Sequence, residues 1–179
     1  MRNFFIILTL CLLSIFLSFG IGCFYSYFYP MKYSRLINNL AEEYEVEGAI
    51  IAAIANVESN FNEKSVSSKG AIGVMQLIPS TAEWLAGKVG LDYSVEKLYD
   101  GDYNIRLGGY YISYLIDLFD DSDVAICAYN AGQGNVKLWL ENGDYSVDGK
   151  TLKKIPFQET ENYLNRVRKS YFYYKNRYK

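Results

Sequence analysis

One carboxylate in the chain stands where proton transfer could be arranged. Glu58 lies near the end of an Ala- and Ile-rich run, residues 47–60, in which Ile50, Ile51, Ile54, Val57 and Phe61 recur at helical spacing. It follows Ile54 by four positions and precedes Phe61 by three, which puts it on or at the margin of the apolar stripe. Desolvation there raises a carboxyl pKa and suits the group to donate a proton at neutral pH. The competing reading is a helix-end carboxylate paired with a nearby lysine such as Lys64. A negative charge near the negative end of a helix is unfavourable, however, unless something holds it there.

Composition narrows the remaining chemistry. There is no histidine, which excludes Ser-His-Asp and Cys-His nucleophile systems and zinc sites built on imidazole. Cys11, Cys23 and Cys127 make neither a disulfide framework nor a CxxC pair, and Cys127 reads as a small buried apolar residue. Asp100, Asp102 and Asn104 begin like a calcium loop, but neither Gly101 nor Gly108 stands where that loop needs its glycine. No metal and no cofactor are expected. A formal charge of -2 is too balanced for nucleic-acid binding through the surface field. Carboxylates, hydroxyls, amides and amines must do whatever is done.

The elements that would position Glu58 are helical. Tyr33, Leu36, Ile37, Leu40, Ala41 and Tyr44 make one amphipathic stripe, and the run that carries Glu58 makes the next helix. Residues 62–79, rich in serine and glycine, read as an irregular loop of the kind that lines sites. Ser80 or Thr81 is expected to cap a helix through Trp84, Leu85 and Val89 that ends at Gly90. Further helices are predicted over 104–119, 123–130 and 135–140. Residues 141–154 read as turns with room for one short hairpin, and a last helix over 158–175 carries Tyr163, Val167, Tyr171 and Tyr174 as its stripe.

Four separated segments together resemble the catalytic domain of the soluble-lytic-transglycosylase (SLT) type of lytic transglycosylase, within the lysozyme-like superfamily. They are Glu58-Ser59-Asn60-Phe61; residues 70–82, Gly-Ala-Ile-Gly-Val-Met-Gln-Leu-Ile-Pro-Ser-Thr-Ala; Ala128-Tyr129-Asn130-Ala131-Gly132; and Ile155-Pro156-Phe157-Gln158-Glu159-Thr160 with Tyr163 after it. Their order and spacing follow the family pattern over residues 33–175, and Val74 replaces the more usual leucine. The resemblance implies a mainly α, lysozyme-like fold with Glu58 as the sole catalytic carboxyl. It implies that Ser67 hydrogen-bonds the substrate or the acid, and that Met75 and Gln76 line the groove. The Tyr129 hydroxyl would reach the acid or a sugar acetamido group, with Asn130 beside it, and Glu159 would bind substrate. Each has a plainer reading as well: core filling for Met75, loop chemistry for Ser67, and a macrodipole-favoured carboxylate for Glu159.

The expected activity is cleavage of the peptidoglycan bond between N-acetylmuramic acid and N-acetylglucosamine with closure of a 1,6-anhydro ring. The alternatives are a lysozyme-type hydrolase and a catalytically silent wall-binding module. Between Arg2 and Lys32 there is no charged residue, so residues 1–31 read as a transmembrane anchor. A cleaved signal segment with Ser18 and Gly20 at its site is a second reading, and a lipid-modified Cys23 a third. Each places residues 32–179, read as one domain, outside the cytoplasm. Aromatic residues at 24, 25 and 27–29 favour the anchor. After Glu161 the chain is basic and without acid, which reads either as compensation of a helix dipole or as attraction to anionic lipid or wall polymer.

Overall fold

The structure, a computed structural model, describes residues 2–178; at 2–9, 11, 21 and 24 only the backbone is described. Two units separate, residues 1–31 and 32–179. The first is helix α1 (Arg2–Phe28), on which Leu10, Leu12, Leu13, Ile15, Phe16, Leu17 and Phe19 are all exposed. Among the described residues no helix is long and apolar enough to cross a membrane. The structure therefore does not supply the expected transmembrane helix, and part of that segment's side chains lies outside the described residues.

The second unit is built around α3 (Gly48–Ser59), in which every residue from Gly48 to Ala55 is buried. A helix apolar on all sides must be enclosed. Helix α8 (Gln158–Tyr174) packs along it, with α2 (Ser34–Glu43) and α5 (Gly101–Phe119) on other sides. Helices α6 (Ser122–Ala131) and α7 (Gln133–Glu141) continue from α5, and α4 (Pro79–Val89) lies against α5. The unit is mainly α, as the sequence patterns predict.

Several boundaries differ for local reasons. Helix α4 begins at Pro79 with Ile78 at the N-cap and no side-chain cap, so neither Ser80 nor Thr81 serves: a proline at the first helical position is pre-set in φ and has no N–H to satisfy. Helix α5 starts three residues earlier than expected because the Asp100 carboxylate accepts the Tyr103 amide at 2.9 Å. A short 3-10 turn, Glu96–Tyr99, was not foreseen. Among the described residues 141–154 contain no hairpin strand; Asp148 instead accepts the amides of Lys150 and Thr151 and the Thr151 hydroxyl, winding a turn.

The loop after α3 is more ordered than its composition suggests. Ile72 makes isolated antiparallel bridges with Val66 and Leu77, and the fully buried Asn104 reaches into it from α5. The Asn104 amide accepts the Met75 N–H at 2.7 Å and donates to the carbonyls of Ile72 at 3.0 Å and Leu98 at 2.9 Å. Gly73 sits against this hub at φ +82, where a Cβ would fall 2.3 Å from both Asn104 Nδ2 and the Leu98 carbonyl oxygen. Gly73→Ala is therefore expected to cost about 2–4 kcal/mol through positive φ and overpacking together, read as a lowered midpoint in urea unfolding.

Candidate active site

Glu58 occupies the last turn of α3. Immediately beyond it Asn60 and Phe61 both take left-handed φ values, 53° and 59°, so the chain turns sharply away and leaves the helix end open beside the carboxyl group. Ser59 fixes the departing chain, donating to the Val74 carbonyl at 2.7 Å and accepting the Asn62 amide at 2.9 Å. Burial pushes the Glu58 pKa up to about 7. The Tyr163 hydroxyl and the Arg166 charge pull it down, and the Glu159 charge adds slightly to the rise. Proximity to the negative end of the α3 dipole works in the same direction as burial.

The hydroxyl that meets the acid comes from α8. Tyr163 is buried, and its OH donates to Glu58 Oε1 at 2.8 Å. Burial and the neighbouring carboxylate hold the Tyr163 pKa far above its ordinary value, so it remains a donor throughout the working range. Tyr129, expected to reach the acid or a sugar, instead donates its OH to the Met75 carbonyl at 2.9 Å. Burial holds the Tyr129 pKa well above the ordinary value and the nearby Glu58 charge adds to the rise, and the Tyr129 ring leans on Tyr111 with centroids 5.1 Å apart.

The other expected residues fall into two groups. Gln76, at φ +49, donates its amide to the carbonyls of Ser65 at 3.1 Å and Gly73 at 2.9 Å. The Ser67 hydroxyl accepts the Ala71 amide at 3.0 Å and closes the loop tip. Both side chains are half-buried and shape the loop. Met75 is fully enclosed, and a Cβ on Gly108 would lie 2.4 Å from its sulfur; its side chain fills core and offers no surface to a ligand, so the groove-lining expectation is corrected. Asn130 Oδ1 accepts the Thr160 hydroxyl at 2.8 Å, joining the end of α6 to the start of α8. Glu159 is exposed and reaches Lys69 of the loop tip at 3.4 Å, an ion pair that solvent makes weak.

Sequence reasoning missed Tyr163 as the partner of Glu58, because a tyrosine on the buried stripe of α8 has the spacing of a core residue. It missed Asn104 as the hub of the loop, although an amide four residues before Gly108 and seven before Tyr111 on an otherwise apolar stripe signals a buried polar anchor. Arg166, read only as part of a basic end, lies with its guanidinium 5.8 Å from the Tyr163 ring centroid and lowers the Glu58 pKa.

A half-buried carboxyl group with a pKa near neutrality, held by a tyrosine hydroxyl at the end of a helix, can deliver a proton to a poor leaving group and take one back. The chain's similarity to known proteins agrees with that geometry. The transglycosylase SLT domain model matches residues 35–159. This chain belongs to the transglycosylase SLT domain family. It is 33% identical over 143 residues to the soluble lytic murein transglycosylase of Escherichia coli K12, covering 78% of this chain and 22% of that protein. It is 28% identical over 172 residues to the membrane-bound lytic murein transglycosylase C of Glaesserella parasuis, covering 81% and 46%. The solved structure of an inactive mutant of lytic transglycosylase Slt from Pseudomonas aeruginosa superposes with a TM-score of 0.73 at 33% identity, covering 85% of this chain and 25% of that one. This SLT domain chain thus spans about a quarter of the length of its soluble relatives.

Removing the Tyr163 hydroxyl isolates its role in the SLT domain site. That hydrogen bond favours the ionised form of Glu58, so in Tyr163→Phe the carboxyl pKa rises further. The alkaline limb of the pH profile for kcat/KM is expected to move upward by up to about one unit, and a profile coincident with wild type would exclude Tyr163 as the group that tunes the acid.

Proposed function

We propose that this domain is a peptidoglycan lytic transglycosylase in which Glu58 serves as acid and then as base. Glu58 protonates the glycosidic oxygen between N-acetylmuramic acid and N-acetylglucosamine as that bond breaks. The carboxylate then accepts the proton of the muramic C6 hydroxyl while its oxygen closes on C1, forming the 1,6-anhydro ring without consuming water. The observation that carries this reading is a single carboxyl poised near pH 7 by burial and held by a tyrosine hydroxyl. At such a pKa the neutral and ionised forms are both accessible at physiological pH, which is what successive acid and base steps require. Glu159, the carboxylate whose charge reaches Glu58, is exposed and turned toward Lys69, an arrangement unlike the second carboxylate that an inverting hydrolase sets to activate water. Binding of glycan strands in the groove of Ser67, Gln76, Tyr129 and Glu159, and cell-wall remodelling as the occasion, belong to the same reading.

The charge-free run between Arg2 and Lys32 supports a single-pass membrane anchor with the catalytic domain on the extracytoplasmic side. Mass spectrometry of products from purified peptidoglycan tests the chemistry. Release of 1,6-anhydromuropeptides is expected; reducing-end products would make the protein a hydrolase, and no release would leave a binding module.

A further inference from the structure

We propose that the outer face at the C-terminal end of α8 seats the domain on anionic lipid headgroups, an inference that rests on the membrane-anchor reading. Phe172 is 81% exposed, on the side of α8 opposite its buried residues Val167, Ser170 and Tyr174. Lys169 precedes it by three positions and Lys175 follows it by three, so all three side chains share one face. Lys175 also lies over the Tyr171 ring at 5.9 Å, and Arg177 over the Tyr173 ring at 4.0 Å. Among the described residues none of these three cations makes an ion pair, whereas Arg168 is held by Asp123. An exposed aromatic ring ringed by lysine and arginine matches an anionic bilayer interface.

This face lies at the end of the domain where its chain begins. The Tyr178 hydroxyl donates to the Lys32 carbonyl at 3.0 Å. A run of rings, Tyr33 on Phe61, Phe61 on Tyr174 and Tyr174 on Tyr178, ties the first residues of the domain to the end of α8. Another flank, beside Tyr33, is acidic: Glu63, Glu96, Asp100 and Asp102 line a cavity of about 470 Å³, and Tyr33 donates its hydroxyl to Glu63. Anionic lipid attracts the first flank and repels the second, which tilts the domain onto α8. Since Tyr163, the partner of Glu58, precedes Phe172 by nine residues on α8, the helix acts as a strut holding the acid about 14 Å along its axis from the lipid contact.

The test uses the full chain with Phe172→Trp, reconstituted in phosphatidylcholine vesicles with or without brominated phosphatidylglycerol, with the two native tryptophans of the unsubstituted chain as background. The added tryptophan is expected to emit at shorter wavelength and to be quenched by the brominated lipid. Quenching should fall in Lys169→Gln/Lys175→Gln, each cation being worth about fivefold in surface partitioning, and in high salt. Flotation with vesicles reads the anchor separately. Flotation without quenching overturns the lipid contact and leaves the anchor standing; flotation and quenching only with anionic lipid uphold the contact and overturn the anchor. A chain that floats with neither lipid overturns both. A blue shift without quenching assigns the face to a protein neighbour and overturns the proposal.

Discussion

Glu58→Gln is expected to lower glycan cleavage by about 10²–10⁴-fold while making the folded domain more stable at pH 8. The loss follows from removing the one group placed to give and take the proton; glutamine keeps the size and can still accept the Tyr163 hydroxyl. The gain follows from linkage. The wild-type carboxyl ionises near its ordinary 4.5 in the unfolded chain but only near 7 in the folded one, so between these values the native state binds more protons. Stability contributed by Glu58 therefore falls as pH rises through the window from 4.5 to about 7, and the full penalty applies above it. Glutamine carries no such penalty. The variant should exceed wild type by up to about 3 kcal/mol at pH 8, with this difference vanishing near pH 4. Urea unfolding of both proteins at pH 4, 6 and 8 reads it. Equal stabilities at pH 8 would show that Glu58 is not desolvated, whatever happens to activity.

Asn104→Leu should produce the largest loss of stability. Leucine has the branched shape of asparagine but bulkier ends that neither donate nor accept, so the Met75 amide and the Leu98 carbonyl lose their partner, the Ile72 carbonyl keeps only the Leu77 amide, and the two methyls overpack the hub. Each unsatisfied group costs about 1–3 kcal/mol, and a total of about 4 kcal/mol or more would be a large part of the stability of a domain this size. Asn104→Asp restores the acceptor for Met75 and not the two donors, and it sets a carboxyl against two carbonyl oxygens, so it should rescue little. The same loop supplies the carbonyl that Tyr129 grips, hence activity should fall along with stability. If Asn104→Leu unfolds within about 1 kcal/mol of wild type, the loop is held by apolar packing of Ile72, Val74 and Met75 and not by the amide.

The local patterns of the chain carried a good deal. The Ile- and Ala-rich run before Glu58 specified a helix with an apolar stripe, and a glutamate on or at the margin of that stripe made a desolvated acid the natural expectation; that the helix is enclosed on all sides was decided by packing. Positive-φ demand at Gly90 and the apolar spacing of α2 and α8 were legible for the same reason: helical periodicity and turn chemistry act over a few residues. Less legible were the start of α5, where an aspartate cap outweighed the apolar stripe, and the start of α4, where a proline displaced the two hydroxyl residues beside it. The loop from Asn62 to Ile78 looked irregular because its order comes from a side chain on another helix.

The sequence by itself determined that the protein would be mainly helical, that histidine- and thiolate-based chemistry was closed to it, and that Glu58 was the candidate acid. Tertiary structure decided which of eighteen tyrosines would touch that acid. Tyr163 and Glu58 stand 105 positions apart, and nothing in the spacing along α8 distinguishes this tyrosine from one that merely fills the core. Only the packing of α8 against the end of α3 turns its hydroxyl to the carboxyl, while the depth of Tyr129 beneath the loop commits that hydroxyl to Met75. Which oxygen meets which proton across such distances is a matter of how whole helices are seated, and that is settled by the sum of many side-chain contacts and by no single local pattern.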